Sequence, residues 1–309
     1  MLNTKKVLIA VDGSPHSLNG VKYVAQQWAP AGLKVNLMYV MPTAPEIFWD
    51  LEQDDFFKHK MKTKYAAWKR TTRKMAQGFL DDARNLLVKA KVTENDVGVI
   101  LQERKTGIAR DILEECARGY DAVVVGRRGL NKLEDLFLGS VSNKIVERVH
   151  DIPVWVVGGE IQSKKMLLAV DASDNSRKAV EYVGTFASGT EAELTLYHVV
   201  RRFGIGAAAE FAEGMEDLGE EVESTIQRMF QAYQKSLELA GVPAARVSTR
   251  YKTDSYTRAG DILREAREGR YGTIVMGRRG LSRVREFLMG RVTSKVLSRA
   301  EGLALWIVP

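Results

Sequence analysis

The chain says nearly the same thing twice. The text VLIAVDGSPHS (Val7 to Ser17) returns as LLAVDASDNS (Leu167 to Ser176), and VVVGRRGLNKLEDLFLG (Val123 to Gly139) returns as IVMGRRGLSRVREFLMG (Ile274 to Gly290). A repeat of about half the chain is too long for a solenoid unit and fits two complete α/β domains of about 150 residues each. The 309 residues therefore predict domains over 1–159 and 160–309, each with its own core.

Within each half, short apolar segments alternate with amphipathic ones. Predicted strands centre on Val7, Val35, Val97, Val123 and Val154, and in the second half on Leu167, Leu194, Val247, Ile274 and Leu305. Strands apolar on both faces, alternating with helices, imply an open parallel sheet covered by helices on both sides, with right-handed crossovers. In the long stretch from Pro42 to Lys91, apolar periodicity supports a helix only from about Met75 to Val88. The last strands, PVWVV (Pro153 to Val157) and ALWIV (Ala304 to Val308), would be bare apolar edges, and such edges invite pairing. The expectation is that they meet each other in an intramolecular pseudo-dimer, with Trp155 and Trp306 in the seam or core. Self-association of the chain through another surface is the alternative.

Composition narrows the class. Hydrophobic content of 45% with 28% charged residues describes a soluble globular protein. No apolar stretch approaches the roughly 20 residues that cross a bilayer, and MLNTKKVLIAV reads as a first strand rather than a signal peptide. A cytoplasmic location is expected. Cys116 is the only cysteine, which fits a reducing compartment, and its helical setting predicts a buried thiol rather than a nucleophile. The four histidines show no metal-ligand spacing, so neither a protein-made metal site nor a catalytic residue is assigned. Of the net charge of +7, the densest part is the basic run from Lys58 to Met75. It reads as a solvated helix face or as a contact for an acidic partner. It carries no base-reading motif, so specific nucleic-acid binding is not expected.

The glycine-rich segment carries the chemistry. Val125 ends a buried strand, followed by Gly126, Arg127, Arg128 and Gly129, then nine residues, then Gly139, Ser140, Val141 and Ser142. If the spacer loops back, the amides around Gly139 face the strand end, and the next helix points its N-terminus at the same place. Free first-turn amides and the helix dipole favour an anion there. Ser140 and Ser142 would add hydroxyls, and Arg127 and Arg128 would be charge compensators or solvent-exposed. The segment is neither a Walker loop nor a GxGxxG fingerprint. Asp12 stands at the carboxyl end of the first strand, where open α/β folds place ligand crevices; a cap role is its plainer explanation. Val40 and Met41 end the second strand, offering either an apolar slot for a planar base or simply a strand end.

Together, AVDGS (Ala10 to Ser14), AVDAS (Ala169 to Ser173) and Gly126-x-x-Gly129-(nine residues)-Gly139-Ser140 resemble a tandem universal stress protein of the ATP-binding branch. The resemblance covers both halves. It implies two Rossmann-like domains of the adenine-nucleotide-hydrolase-like type, often paired through the last strand. It further implies ATP or another adenine nucleotide as ligand: Asp12 on the nucleoside, Val40 and Met41 beside adenine, and Val125 beside ribose. Gly126, Arg127 and Gly129 would form the ribose-phosphate turn, with Gly139, Ser140, Val141 and Ser142 on the phosphates. Mg2+ or Mn2+ would be held through phosphate oxygens.

The second copy departs from this pattern. Arg291 stands where the first copy has Ser140, Asp174 replaces Pro15, and Gly272 replaces Asp121. Arg291 would either block the second pocket or reach toward phosphate. These differences predict an asymmetric pair: one nucleotide-binding domain and one structural, interaction or regulatory domain. The functional expectation is a nucleotide-responsive stress protein that regulates or engages a protein partner, with a weak ATPase and a nucleotide-independent scaffold as rivals.

Overall fold

In the computed structural model, residues 4–43, 55–128, 138–201, 215–280 and 289–309 are described. The first half contributes β1 (Lys5–Ala10), α1 (Pro15–Trp28), β2 (Leu33–Met41), α2 (Asp55–Lys89), β3 (Val97–Glu103), α3 (Ile108–Cys116), β4 (Ala122–Gly126), α4 (Ser140–Arg148) and β5 (Val154–Val157). The second repeats the order with β6 (Lys165–Ala169), α5 (Asp174–Ala187), β7 (Glu193–Arg201), α6 (Met215–Leu239), β8 (Val247–Ser255), α7 (Arg258–Glu268), β9 (Thr273–Gly277), α8 (Arg291–Arg299) and β10 (Ala304–Val308).

All ten strands join one sheet in the order β3-β2-β1-β4-β5-β10-β9-β6-β7-β8. Pairing is parallel within each half, and β5 and β10 meet antiparallel, with Trp155 opposite Trp306. Their indoles stack at 3.9 Å, with 4° between the ring planes. The two apolar edges thus cover each other, as their sequences predict.

The hydrophobic clusters divide by sheet face rather than by domain. Pleating sends Val7 and Ile9 to one side, against Trp28, Leu80, Phe186 and Phe230. It sends Leu8 to the other, with Val123, Ile145, Ile274 and Leu305. Each cluster runs through the seam into both halves. The expectation of one core per domain therefore gives way to two layers shared by the pair.

The helices start as local chemistry dictates. Ser14 caps α1 by accepting from the Ser17 amide, with Pro15 in its first turn, and Ser173 caps α5 in the same way. Asp174 sits at the positive end of α5 and pairs with Arg177. Helix α2, at 35 residues, begins well before Met75. Among residues 62–89 its buried stripe is Thr72, Ala76, Leu80, Ala83 and Leu87; the side chains of 62–71 are exposed or half-buried, so no apolar periodicity marks that part of the helix. Cys116 is buried, and burial, with Glu115 beside it, pushes its thiol up to about 12. No described helix is long and apolar enough to cross a membrane.

Candidate functional site

In the first half the strand order 3-2-1-4-5 reverses direction between β1 and β4, and crevices of open α/β sheets form at such a point, beyond the carboxyl ends of the strands. Asp12 lies there, half-buried. Its carboxylate accepts from the Ser14 amide at 2.9 Å, and its own amide donates to the Ser17 hydroxyl at 3.2 Å. Gly13, at φ 78°, makes the turn, and a Cβ there would stand 2.8 Å from the Phe79 ring. Phe79 packs edge-on against Tyr39, 5.1 Å between centroids. Burial raises the Tyr39 phenol, and the neighbouring Asp12 charge adds to this. Tyr39 and Phe79 thus wall the Asp12 turn. In the sequence they look like any other core aromatics.

Val40 and Met41 are both buried. The Met41 carbonyl accepts from the Arg104 amide on the β3 side. Parallel-strand alternation turns the Val40 main chain toward β1, past the Val11 amide to Met38 carbonyl bond at 2.9 Å. Its amide and carbonyl therefore face the crevice.

Opposite them, Val125 and Gly126 end β4. A Cβ on Gly126 would lie 2.8 Å from the His16 carbonyl oxygen, and one on Gly277 would lie 2.8 Å from the Asn175 Cβ. Close approach of the first turn of α1 or α5 thus requires each glycine irrespective of any ligand. The chain does loop back: the Gly139 amide donates to the Arg127 carbonyl at 2.8 Å. This bond sets the N-terminus of α4 beside the end of β4. It uses the Gly139 amide, leaving those of Ser140, Val141 and Ser142 as the first-turn donors; helical bonding begins with Asn143 to Gly139 at 2.8 Å. Ser140 is exposed. The Ser142 hydroxyl instead donates to the Gly126 carbonyl at 2.7 Å, tying helix to strand, so it offers a ligand its amide rather than its hydroxyl. Gly129 lies outside the described residues.

Arg127 sits neither in the crevice nor in solvent. It is 3% exposed, and its guanidinium crosses the seam to the carbonyls of Ser298 at 2.8 Å and Ala300 at 3.2 Å. Burial pulls it below the usual arginine range; Glu301 pushes back, and Arg128 adds to the pull. Arg128 reaches Glu301 at 3.5 Å.

The second crevice repeats this plan with changed residues. Gly290 donates to the Arg278 carbonyl at 2.9 Å, and the Thr293 hydroxyl donates to the Gly277 carbonyl at 3.0 Å. Arg291 is exposed at the first position of α8, where α4 has Ser140. The Asp171 carboxylate accepts from the Ser176 hydroxyl at 2.8 Å, and a Cβ on Gly280 would stand 2.6 Å from its Oδ2. Gly272 has an architectural cause: a Cβ there would lie 2.4 Å from the Ser163 carbonyl, in the segment joining the halves.

Away from both crevices, Lys62, Lys64, Arg70, Arg73 and Lys74 are exposed on α2, where Tyr65 stacks on Trp68 at 5.8 Å. The corresponding face of α6 exposes Glu220, Glu221 and Glu223. Among the described residues, no group of three histidine, cysteine or acidic side chains could hold a metal ion.

Two doubly covered α/β units, joined back to back through their last strands, each with a helix N-terminus near the switch point, define a tandem open-sheet α/β protein. The sequence profile of the "Universal stress protein family" matches residues 3–158 and 162–308. The chain belongs to this family and shares its general stress-response role. It is 24% identical over 316 residues to universal stress protein Slr1230 of Synechocystis, covering 96% of each chain. It is also 24% identical over 307 residues to a universal stress protein of Mycolicibacterium smegmatis, covering 95% of this chain and 94% of the relative. Its fold is similar to that of a universal stress protein from Archaeoglobus fulgidus, with TM-score 0.61, 19% identity and coverage of 98% and 97% of the two chains.

Proposed function

We propose that the first domain, residues 1–159, binds an adenine nucleotide, ATP foremost, and that occupancy regulates the protein or its engagement of a partner. One observation carries the reading: the Gly139–Arg127 main-chain bond sets the open first turn of α4 beside the β1–β4 switch point, facing Asp12. Three first-turn amides with no helical partner among the described residues, the dipole end of a nine-residue helix and the exposed Ser140 hydroxyl fit an oxyanion. The crevice-facing amide and carbonyl of Val40 fit the donor and acceptor edge of adenine, and Asp12 fits a ribose hydroxyl. Mg2+ or Mn2+ would be held through phosphate oxygens rather than by a protein cage.

In residues 160–309 the bulk of Arg291 replaces the small hydroxyl, so this half serves chiefly structure or regulation. Equilibrium titration with ATP, with and without magnesium, tests the reading. One saturable site per chain is expected, lost in Ser140→Arg, which copies the second loop. Absence of saturable binding by ATP or ADP would leave the nucleotide-independent scaffold as the better description. Steady phosphate release that depends on the Gly126 turn would instead make it an ATPase.

A further inference from the structure

Arg127 has a counterpart. Arg278, 4% exposed, crosses the seam in the opposite direction and donates to the carbonyls of Val149 at 2.8 Å, Val146 at 2.5 Å and Glu147 at 3.1 Å. These carbonyls belong to the last turn of α4 and the residue that follows it, as Ser298 and Ala300 do for α8. The last carbonyls of a helix lack intrahelical donors, and its C-terminus carries the negative end of the dipole. A buried guanidinium satisfies both needs, and its planar fork holds several acceptors in one fixed geometry, where an ammonium is a compact charge with rotatable donors. Burial lowers the Arg278 pKa, with Arg279 adding to it, so the carbonyls provide compensation where solvent does not.

The wiring is crossed. Arg278 belongs to the second glycine turn, yet it grips the far end of α4, whose near end is the first domain's candidate phosphate site. Arg127 belongs to the first turn and grips α8, which faces the second crevice. We propose that Arg278 is a positioning residue for the first domain's phosphate helix and that Arg127 is its mirror for α8. Each glycine turn thereby sets the anion site of the other domain. This gives Arg278 a role although Arg291 stands where the first loop has Ser140: the guanidinium serves the neighbouring crevice. A shift of either turn, by ligand or partner, is carried to the opposite helix through the guanidinium. The coupling to nucleotide rests on the binding proposed above; the crossed positioning does not.

The test uses the full chain. Hydrogen exchange without nucleotide compares Arg278→Gln, Arg127→Gln and the conservative Arg278→Lys. In Arg278→Gln, amides of α4 are expected to exchange about tenfold faster while those of α8 stay within about twofold, with the mirror pattern in Arg127→Gln. Arg278→Lys is expected to restore part of the protection. ATP affinity of the first site is expected to fall about tenfold in Arg278→Gln, within the usual range of coupling between sites. Equal loosening of both helices, loosening of α8 alone, or unchanged ATP affinity in Arg278→Gln would overturn the proposal. If Arg278→Gln fails to fold, Arg278→Lys carries both measurements. Exchange in α4 faster than in the wild type with α8 unchanged, and weaker ATP binding, are then expected at smaller amplitude. Equal loosening of both helices, loosening of α8 alone or wild-type behaviour of both overturns the proposal. Failure of the wild-type chain to bind ATP would sink the nucleotide reading and the coupling built on it, while the exchange pattern still decides the positioning.

Discussion

The hydroxyls of Tyr23 and Thr273 lie 2.8 Å apart, buried, although 250 residues separate them in the chain. Tyr23 sits on α1 of the first half and Thr273 opens β9 of the second, so the bond crosses the seam. Desolvation by burial raises the Tyr23 phenol far above its ordinary value, so it stays a neutral hydroxyl throughout the physiological range. Tyr23→Phe is expected to cost roughly 1–3 kcal/mol, since the Thr273 hydroxyl loses its buried partner. A double-mutant cycle with Thr273→Val in urea denaturation should show strong non-additivity; simple additivity would mean the bond contributes nothing.

The Trp155–Trp306 stack lies beneath the only antiparallel pairing among the described strands, and both indoles are fully buried. Trp306→Ala is expected to destabilise by about 3–5 kcal/mol. Because the hydrophobic layers run through the seam, both halves should lose stability together. Two calorimetric transitions, one at the wild-type temperature, would contradict shared cores.

Ser140 and Ser142 separate ligand binding from architecture. Removing the Ser142 hydroxyl leaves the Gly126 carbonyl without its donor, so Ser142→Ala should destabilise by roughly 1–3 kcal/mol. Ser140→Ala, at an exposed position, should change stability by less than about 0.5 kcal/mol while weakening ATP. The opposite ranking in thermal melts would reverse these roles.

Gly126 admits no side chain because the His16 carbonyl oxygen is part of the main chain and cannot swing away. Gly126→Ala is expected to cost about 1–3 kcal/mol from overpacking, with or without nucleotide. Any loss of ATP binding in this variant therefore needs a stability measurement beside it, and an unchanged melting temperature would show that α1 can retreat.

Asp111 gives the fold an acid limit. It accepts from the amides of Lys105 at 2.7 Å, Thr106 at 3.0 Å and Gly107 at 3.3 Å, and from the Thr106 hydroxyl at 2.9 Å. Burial would raise its carboxyl, but these donors outweigh it and hold the group below its ordinary value of 3.8. With the folded value depressed, the stabilisation is complete above the unfolded value and lost as pH falls through the folded one. Asp111→Asn should cost about 2 kcal/mol at neutral pH and nearly nothing in strong acid. A stability difference independent of pH would refute the ionic role.

Much of the fold was legible because its signals are local and doubled. The apolar runs at Val7 and Leu167 and the bare Trp155 and Trp306 strands give the parallel halves and the seam. The start of α2 was legible only in part: the basic run from Lys58 to Met75 reads as a solvated helix face or a partner contact, but charge alone marks no boundary at Asp55. The reach of Arg127 was not legible, since its neighbours in sequence suggest a phosphate turn while its acceptors lie 171 and 173 residues away. Gly272 reads as functional divergence until the Ser163 carbonyl is seen beside it.

The covalent link between the two halves, through residues 158–164, has a consequence for symmetry. In an assembly of identical chains, every amino-acid replacement is made twice, and mirrored sites must change together. Here Tyr23 meets a threonine hydroxyl, whereas its twin Tyr182 meets the Asp121 main-chain carbonyl at 3.1 Å. One Ser140 loop and one Arg291 loop are thus delivered in fixed one-to-one stoichiometry, at any dilution and without exchange of halves.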